Sequence, residues 1–166
     1  KCIQLGKDFN ITPYGTEAMH VLRAEKGYII VGQETDGSVT PVDLDMNWIV
    51  SKNKYDFIGK RALVRSDTVK EDRKQLVGIL TVDPSIVLEE GSQLVEVETS
   101  LPMPMVGHIT SSYYSPNLGR SIALALVKSG TKKKGVKLIV PTVNSSVEVE
   151  ITNPVFIDPE NERLMA

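Results

Sequence analysis

Cysteine is almost absent from this sequence. Cys2 is the only one in 166 residues, which excludes a disulfide within the chain and any zinc site built on several thiolates. A lone cysteine suits a reducing compartment, and the cytoplasm is the expected location. Histidine is scarce as well. His20 and His108 lie in unrelated stretches with no cysteine, histidine or carboxylate at ligand spacing, so both read as structural histidines and no metal is expected. Aromatic residues make up 5% of the chain, and 19 basic residues stand against 21 acidic ones for a net charge of −2. A nucleic-acid surface needs a basic field and benefits from stacking rings; with neither, nucleic acid is not an expected partner. No apolar run nears the ~20 residues that cross a bilayer and no signal-peptide pattern opens the chain, so no membrane association is expected either. Ser111, Ser112 and Ser115 lack a G-x-S-x-G elbow and a paired base, and read as hydroxyls that cap turns.

What is present is 41% hydrophobic residues in a chain long enough to bury roughly 70% of its unfolded surface, enough for one domain or two small ones. Thr12-Pro13 offers an N-cap and a first-turn proline, and Gly27 a helix stop, which predicts a helix over Pro13–Lys26. Tyr28–Val31 and Trp48–Val50 read as short strands. Thr40-Pro41 with Asp43 resembles a capping box and predicts a short helix, and Asp56–Leu63 predicts another. From about residue 70 the texture changes to short strands at regular spacing: Gln75–Val82, Gln93–Val97, Met105–Thr110, Ser121–Val127, Val136–Val140 and Val147–Phe156. Turn signals separate them, at Glu90-Gly91, Pro116-Asn117, Ser129-Gly130 and Asn144-Ser145, as in a small antiparallel barrel or sandwich. Along the fourth strand Ile122, Leu124 and Leu126 alternate with Ala123, Ala125 and Val127. Lys132-Lys133-Lys134 reads as a solvated hairpin tip.

Two features of the first half ask for a ligand. Glu25 stands in the last turn of the predicted helix, where the helix dipole disfavours an anion by about 0.3–1 kcal/mol. It pairs with Lys26 or Arg23 at the surface, or points into a pocket to meet two adjacent N–H donors. The segment Lys52–Lys74 carries eight basic residues (Lys52, Lys54, Lys60, Arg61, Arg65, Lys70, Arg73 and Lys74) against four acidic ones (Asp56, Asp67, Glu71 and Asp72). It is a solvated face or a landing strip for an anionic tail.

The block HVLRAEKGYIIVGQETDGSVTPVDLDMNWIVSKNKYDFIGKRAL resembles the folate-dependent aminomethyltransferases, the glycine cleavage T-protein family, which carry R-x-E-x-G, G-x-(E/D)-x-D, T-P, W and D-F-x-G-K-x-A-L in that order. VGHITSSYYSPNLGRSIALALV, Val106–Val127, is similar to that family's C-terminal barrel signature. Within the family, TPYGTEAMHVLRAEKGYIIVGQETDG and NPVFIDPENERL are closer to the oxidase branch, the C-terminal part of sarcosine oxidase alpha subunits. The resemblance implies an α+β fold: the C-terminal part of a folate-binding domain over residues 1–69, then a small antiparallel β-barrel over residues 70–166. It implies tetrahydrofolate as ligand, with Glu25, Tyr28 and Lys54 as folate-binding residues and Glu25 taking the pterin's donor edge. It also implies a flavin elsewhere in the intact enzyme, an amine-derived one-carbon unit as reactant, and other subunits of a hetero-oligomeric oxidase as partners. The family's folate domain begins upstream of residue 1, and its acidic residue for methylene transfer with it, so no catalytic residue is expected in this chain. Three positions depart from the T-protein pattern: Val31 replaces a tyrosine, Lys54 an arginine, and Pro159-Glu160-Asn161-Glu162 the C-terminal tyrosines. The alternatives are a true aminomethyltransferase and a non-enzymatic subunit-docking module.

Overall fold

The computed structural model describes residues 1–143 and 145–165. Strand-forming alternation in the second half gives six strands: β1 (Lys74–Thr81), β2 (Gln93–Leu94), β3 (Gly107–Ser115), β4 (Arg120–Lys128), β5 (Lys137–Pro141) and β6 (Ser146–Thr152). They form one antiparallel sheet in the order β2-β3-β4-β1-β6-β5. The sheet closes on itself just past β2, where Val95 and Ile139 of β5 each donate an N–H to the other's carbonyl at 2.9 Å. Closure removes the free edges of an open sheet, and the architecture is a barrel. Both expected strand count and α+β class hold; β3 runs further than Met105–Thr110, through a register shift between Ile109 and Ser111 that lets it continue to Ser115.

The alternation of β4 resolves into two buried faces. Ala123, Ala125 and Val127 turn inward and meet Val77, Ile79, Leu138, Val149 and Ile151 in the barrel interior. Leu124 and Leu126 turn outward with Leu76, but they are covered too, by Leu44 and by Ile29, Val39, Met46 and Phe156. On β4 the smaller side chains face the inside while the larger leucines anchor the first half of the chain on the outside.

That first half has little regular structure. Besides the single-turn helix α1 (Cys2–Leu5), it holds one helix of length, α2 (Thr16–Glu25); α3 (Glu162–Met165) is a single turn at the other end. α2 starts three residues later than expected. Thr12 spends its hydroxyl on the Asn10 carbonyl, at 3.3 Å, and Gly15 takes the N-cap position with no side-chain cap. Its end is a Schellman motif: Tyr28 N–H reaches the Arg23 carbonyl at 2.9 Å and Gly27 N–H the Ala24 carbonyl at 3.0 Å. Gly27 sits at φ +69°, and a Cβ there would lie 2.7 Å from the Pro154 carbonyl oxygen, so both conformation and space require glycine.

The strands expected at Tyr28–Val31 and Trp48–Val50 do not form. After Ile30 the chain turns, with Gln33 and Glu34 N–H groups both on the Ile30 carbonyl, and Asn47–Ile49 is a 3-10 turn. Neither short apolar run pairs with the barrel; both are spent in turns. Helices expected at Thr40-Pro41 and Asp56–Leu63 shorten to a turn and to a 3-10 turn over Lys60–Val64. The capping interaction survives: Asp43 Oδ2 accepts from Thr40 N–H and Oγ1, each at 2.8 Å. The expected turn at Asn144-Ser145 lies partly outside the described residues.

Candidate functional site

The Schellman turn fixes where Glu25 points. Its side chain is 3% exposed, tucked between the end of α2 and the turn joining β3 to β4. Neither neighbour expected at the surface pairs with it. Lys26 reaches across to the Asp158 carboxylate at 3.3 Å and to Asn161 Oδ1 at 2.8 Å, while Arg23 turns inward to Glu34. Glu25 is instead met by neutral donors from the barrel: Ser115 Oγ donates to Oε1 at 2.5 Å, and Asn117 Nδ2 lies 3.1 Å from Oε1 and 2.9 Å from Oε2. Its backbone carbonyl takes the N–H groups of Phe156 and Ile157 at 2.9 and 3.0 Å, tying the C-terminal strap onto the same helix end.

Above Glu25 lies a cavity of about 350 Å³ with a largely apolar wall of Leu22, Tyr28 and Ile157. Asn117, the Lys26–Asp158 pair and Arg163 complete it. Burial would ordinarily raise the Asp158 carboxyl, but the bonds from Lys26 and the α3 backbone hold it below its usual range. A carboxylate at the floor of an apolar-walled cavity, ion-paired with no cation among the described residues, suits a flat ligand with hydrogen-bond donors along one edge.

A second polar cluster stabilises this floor. Arg23 sends Nη1 to Glu34 Oε2 at 3.1 Å and to the Tyr28 carbonyl at 3.2 Å, and Nη2 to Ser111 Oγ at 2.6 Å and Gln33 Oε1 at 3.0 Å. Ser111 Oγ in turn donates to Glu34, which is fully buried and also accepts the Ile30 N–H at 2.8 Å. Tyr113 lies under the Arg23 guanidinium, 5.6 Å from it, and stacks on His20. The His20 Nδ1 is buried with no protein hydrogen bond among the described residues. His108 sits beside Lys74; burial first, and then that lysine, push its pKa down. A third cluster joins Asp43 to Arg73 through Nε at 2.8 Å and Nη2 at 2.5 Å.

Of the three residues expected to bind folate, the fold brings Glu25 and Tyr28 to one cavity. Lys54 does not line it: it is exposed in the loop before the Lys60–Val64 turn, its N–H on Ser51 Oγ at 3.3 Å. The basic run is also thinner than its count suggests. Arg73 is engaged by Asp43, Arg65 by Asp67, and Lys60 by the carbonyls of Lys54 and Tyr55. Sequence reasoning missed Ser115 and Asn117, although both stand in the S-P-N-L turn of the barrel signature. Ser115 does cap a turn, accepting the Leu118 N–H at 3.1 Å, and it holds Glu25 as well. Among the described residues no group of three or more histidines, cysteines or carboxylates is placed to hold a metal ion, and no helix is long and apolar enough to cross a membrane.

Comparison with known proteins follows the same lines. Residues 74–158 match the glycine cleavage T-protein C-terminal barrel domain, and residues 1–54 match the GCVT N-terminal domain. The sarcosine oxidase subunit alpha of Corynebacterium sp. (strain P-1) is 55% identical over 161 residues, 95% of this chain but 16% of that subunit. The aminomethyltransferase of Thermotoga neapolitana is 32% identical over 154 residues, 93% of this chain and 40% of that protein. The crystal structure of glycine cleavage system aminomethyltransferase T from Bartonella henselae superposes with a TM-score of 0.80 at 22% identity, over 94% of this chain and 42% of that one. The chain therefore spans between 16% and 42% of the length of these relatives.

Proposed function

The chain belongs to the glycine cleavage T-protein family, and from that premise we propose that it is the C-terminal, tetrahydrofolate-binding region of a sarcosine oxidase alpha subunit-like protein. The observation that carries this reading is Glu25: a buried carboxylate at the floor of an apolar-walled cavity, matched by neutral donors and by no cation. The residues fit a pterin. Glu25 takes its N–H donor edge, and Leu22 and Tyr28 flank its ring. Tetrahydrofolate, when bound, supplies the nitrogens that take up the one-carbon unit from oxidative demethylation of a secondary amine, giving 5,10-methylenetetrahydrofolate. A flavin belongs to another part of the enzyme, and other subunits are the expected partners, in the cytoplasm. We set the division between folate domain and barrel at residues 69 and 70. This region contributes positioning and charge, holding the acceptor where the one-carbon unit is released.

Tetrahydrofolate titrated into the full-length gene product and its Glu25→Gln variant tests the reading. The variant should bind about tenfold more weakly or worse, because an ionised acceptor becomes a neutral amide. Equal affinity rejects the assignment of Glu25.

A further inference from the structure

Glu25's two side-chain partners are unlike one another. Ser115 is fully buried, and its oxygen is locked by the Leu118 N–H as well as by the carboxylate. Asn117 is exposed at the β3–β4 turn, yet its one amide nitrogen lies within hydrogen-bond distance of both Glu25 oxygens. One N–H of that amide is shared between the two oxygens, so Asn117 covers the face of the carboxylate that a ligand with a paired donor edge would take.

Asn117 also stands between two cavities. One is the space of about 350 Å³ over Glu25; the other, about 590 Å³, is walled by Val21, Val87, Tyr113 and Tyr114. Ligand sites usually run to about 300–1,000 Å³, so the space over Glu25 alone is at the small end for a ligand with a ring, a linker and a tail.

We propose that Asn117 is a placeholder: its amide occupies the donor face of Glu25 until a ligand's paired N–H groups displace it, and its departure joins the two cavities into one site. The second cavity then receives the aromatic segment that follows the ring, against Tyr113 and Tyr114. Ser115 stays in place throughout and keeps the carboxylate aimed. Displacement is inexpensive because the released amide is at the surface and takes water in place of Glu25.

This inference rests on the folate reading of Glu25 and deepens it. The test is a titration of tetrahydrofolate into the full-length gene product as wild type, Asn117→Ala, Asn117→Ser, Ser115→Ala and Glu25→Gln, with association rates and ligand-free melting temperatures. Asn117→Ala should bind about fivefold tighter than wild type and associate faster, since the ligand no longer competes with a protein amide. Asn117→Ser, too short to span both oxygens, should behave alike. Ser115→Ala should bind about tenfold more weakly, its carboxylate no longer aimed. Equal or weaker binding by both Asn117 variants, with Glu25→Gln still impaired, overturns the placeholder and leaves the folate reading standing. Wild-type affinity in Glu25→Gln overturns both.

Discussion

The barrel and the segment that leads into it are held by different forces. In the barrel every strand has neighbours on both sides, and an apolar cluster running from Val77 to Ile151 fills the interior. Residues 1–69 hold one helix of more than a turn and leave Phe9, Trp48, Tyr55, Ile58 and Val64 exposed. They are fastened by apolar packing of Leu44 and its neighbours against Leu76, Leu124 and Leu126, and by four polar clusters: Glu25 with Ser115 and Asn117, Arg23 with Glu34 and Ser111, Lys26 with Asp158 and Asn161, and Asp43 with Arg73. Apolar pattern alone specifies a barrel that tolerates repacking, whereas buried charges are satisfied only by particular partners. The candidate site lies on the seam between the two, where its geometry is set by specific polar contacts.

The largest effect is expected from removing the cation of the buried cluster. Arg23→Met leaves the fully buried Glu34 carboxylate with only neutral donors, and should cost about 3–5 kcal/mol. Urea unfolding of wild type and variant measures it. A loss below about 1 kcal/mol, the level of an exposed ion pair, means that the lead-in is not held by this cluster.

Leu124→Ala comes next. The residue faces out of the barrel yet is fully covered by the lead-in, and its truncation should cost about 2–5 kcal/mol. If instead the melting temperature hardly shifts, the lead-in is loosely seated and the contrast between the regions is wider than the packing implies.

What could be read from the sequence divides along the same seam. Five of the six strands fell within a few residues of their expected bounds, because alternation of period two is a local signal. Strand spacing alone left barrel and sandwich open, since closure rests on the pair Val95 and Ile139; the resemblance supplied the barrel. In the lead-in the local signals misled. Tyr28–Val31 and Trp48–Val50 have strand composition, but composition names no partner, and the chain turns at Ile30 and at Asn47 instead of pairing with the barrel. At the site, Glu25 stood out because its position conflicts with the helix dipole. Its partners did not, because Ser115 and Asn117 lie 90 and 92 residues away and a turn serine or asparagine is ordinary on its own. Lys54 was placed by resemblance alone, and the fold puts it away from the cavity.

A smaller effect is expected from pH. Burial would raise the Asp43 carboxyl, but the Arg73 and Thr40 hydrogen bonds outweigh it and hold the pKa below its ordinary value. A carboxyl lowered on folding adds stability that is complete above its unfolded pKa of about 3.9 and is lost as pH falls through the folded value. The joint between Thr40–Asp43 and Arg73 should therefore be insensitive to pH from 7 to 5 and weaken below about 4. Comparing the acid limb of unfolding in wild type and Asp43→Asn isolates it. Asp43→Asn should flatten that limb, and an unchanged acid limb assigns the pH dependence to other carboxylates.

The smallest effect is expected at Lys54. It is exposed, outside the cavity over Glu25, and three of its basic neighbours, Lys60, Arg65 and Arg73, are engaged within the protein. What remains to meet an anionic tail is a few exposed lysines and Arg61, and the Lys54 ammonium follows a carboxylate without fixing it as a guanidinium fork does. At 0.15 M salt the Debye length is about 8 Å, so such groups act together only on a tail passing close to the loop. Lys54→Ala should weaken binding of polyglutamylated tetrahydrofolate by about twofold at low salt, with no change for the monoglutamate and none for either at high salt. Titrations of both ligands at two ionic strengths decide it. A tenfold loss at low salt would place the tail firmly on this loop and make the lead-in a binding surface in its own right; no dependence on tail length would leave Lys52–Lys74 a solvated face, with recognition confined to the seam.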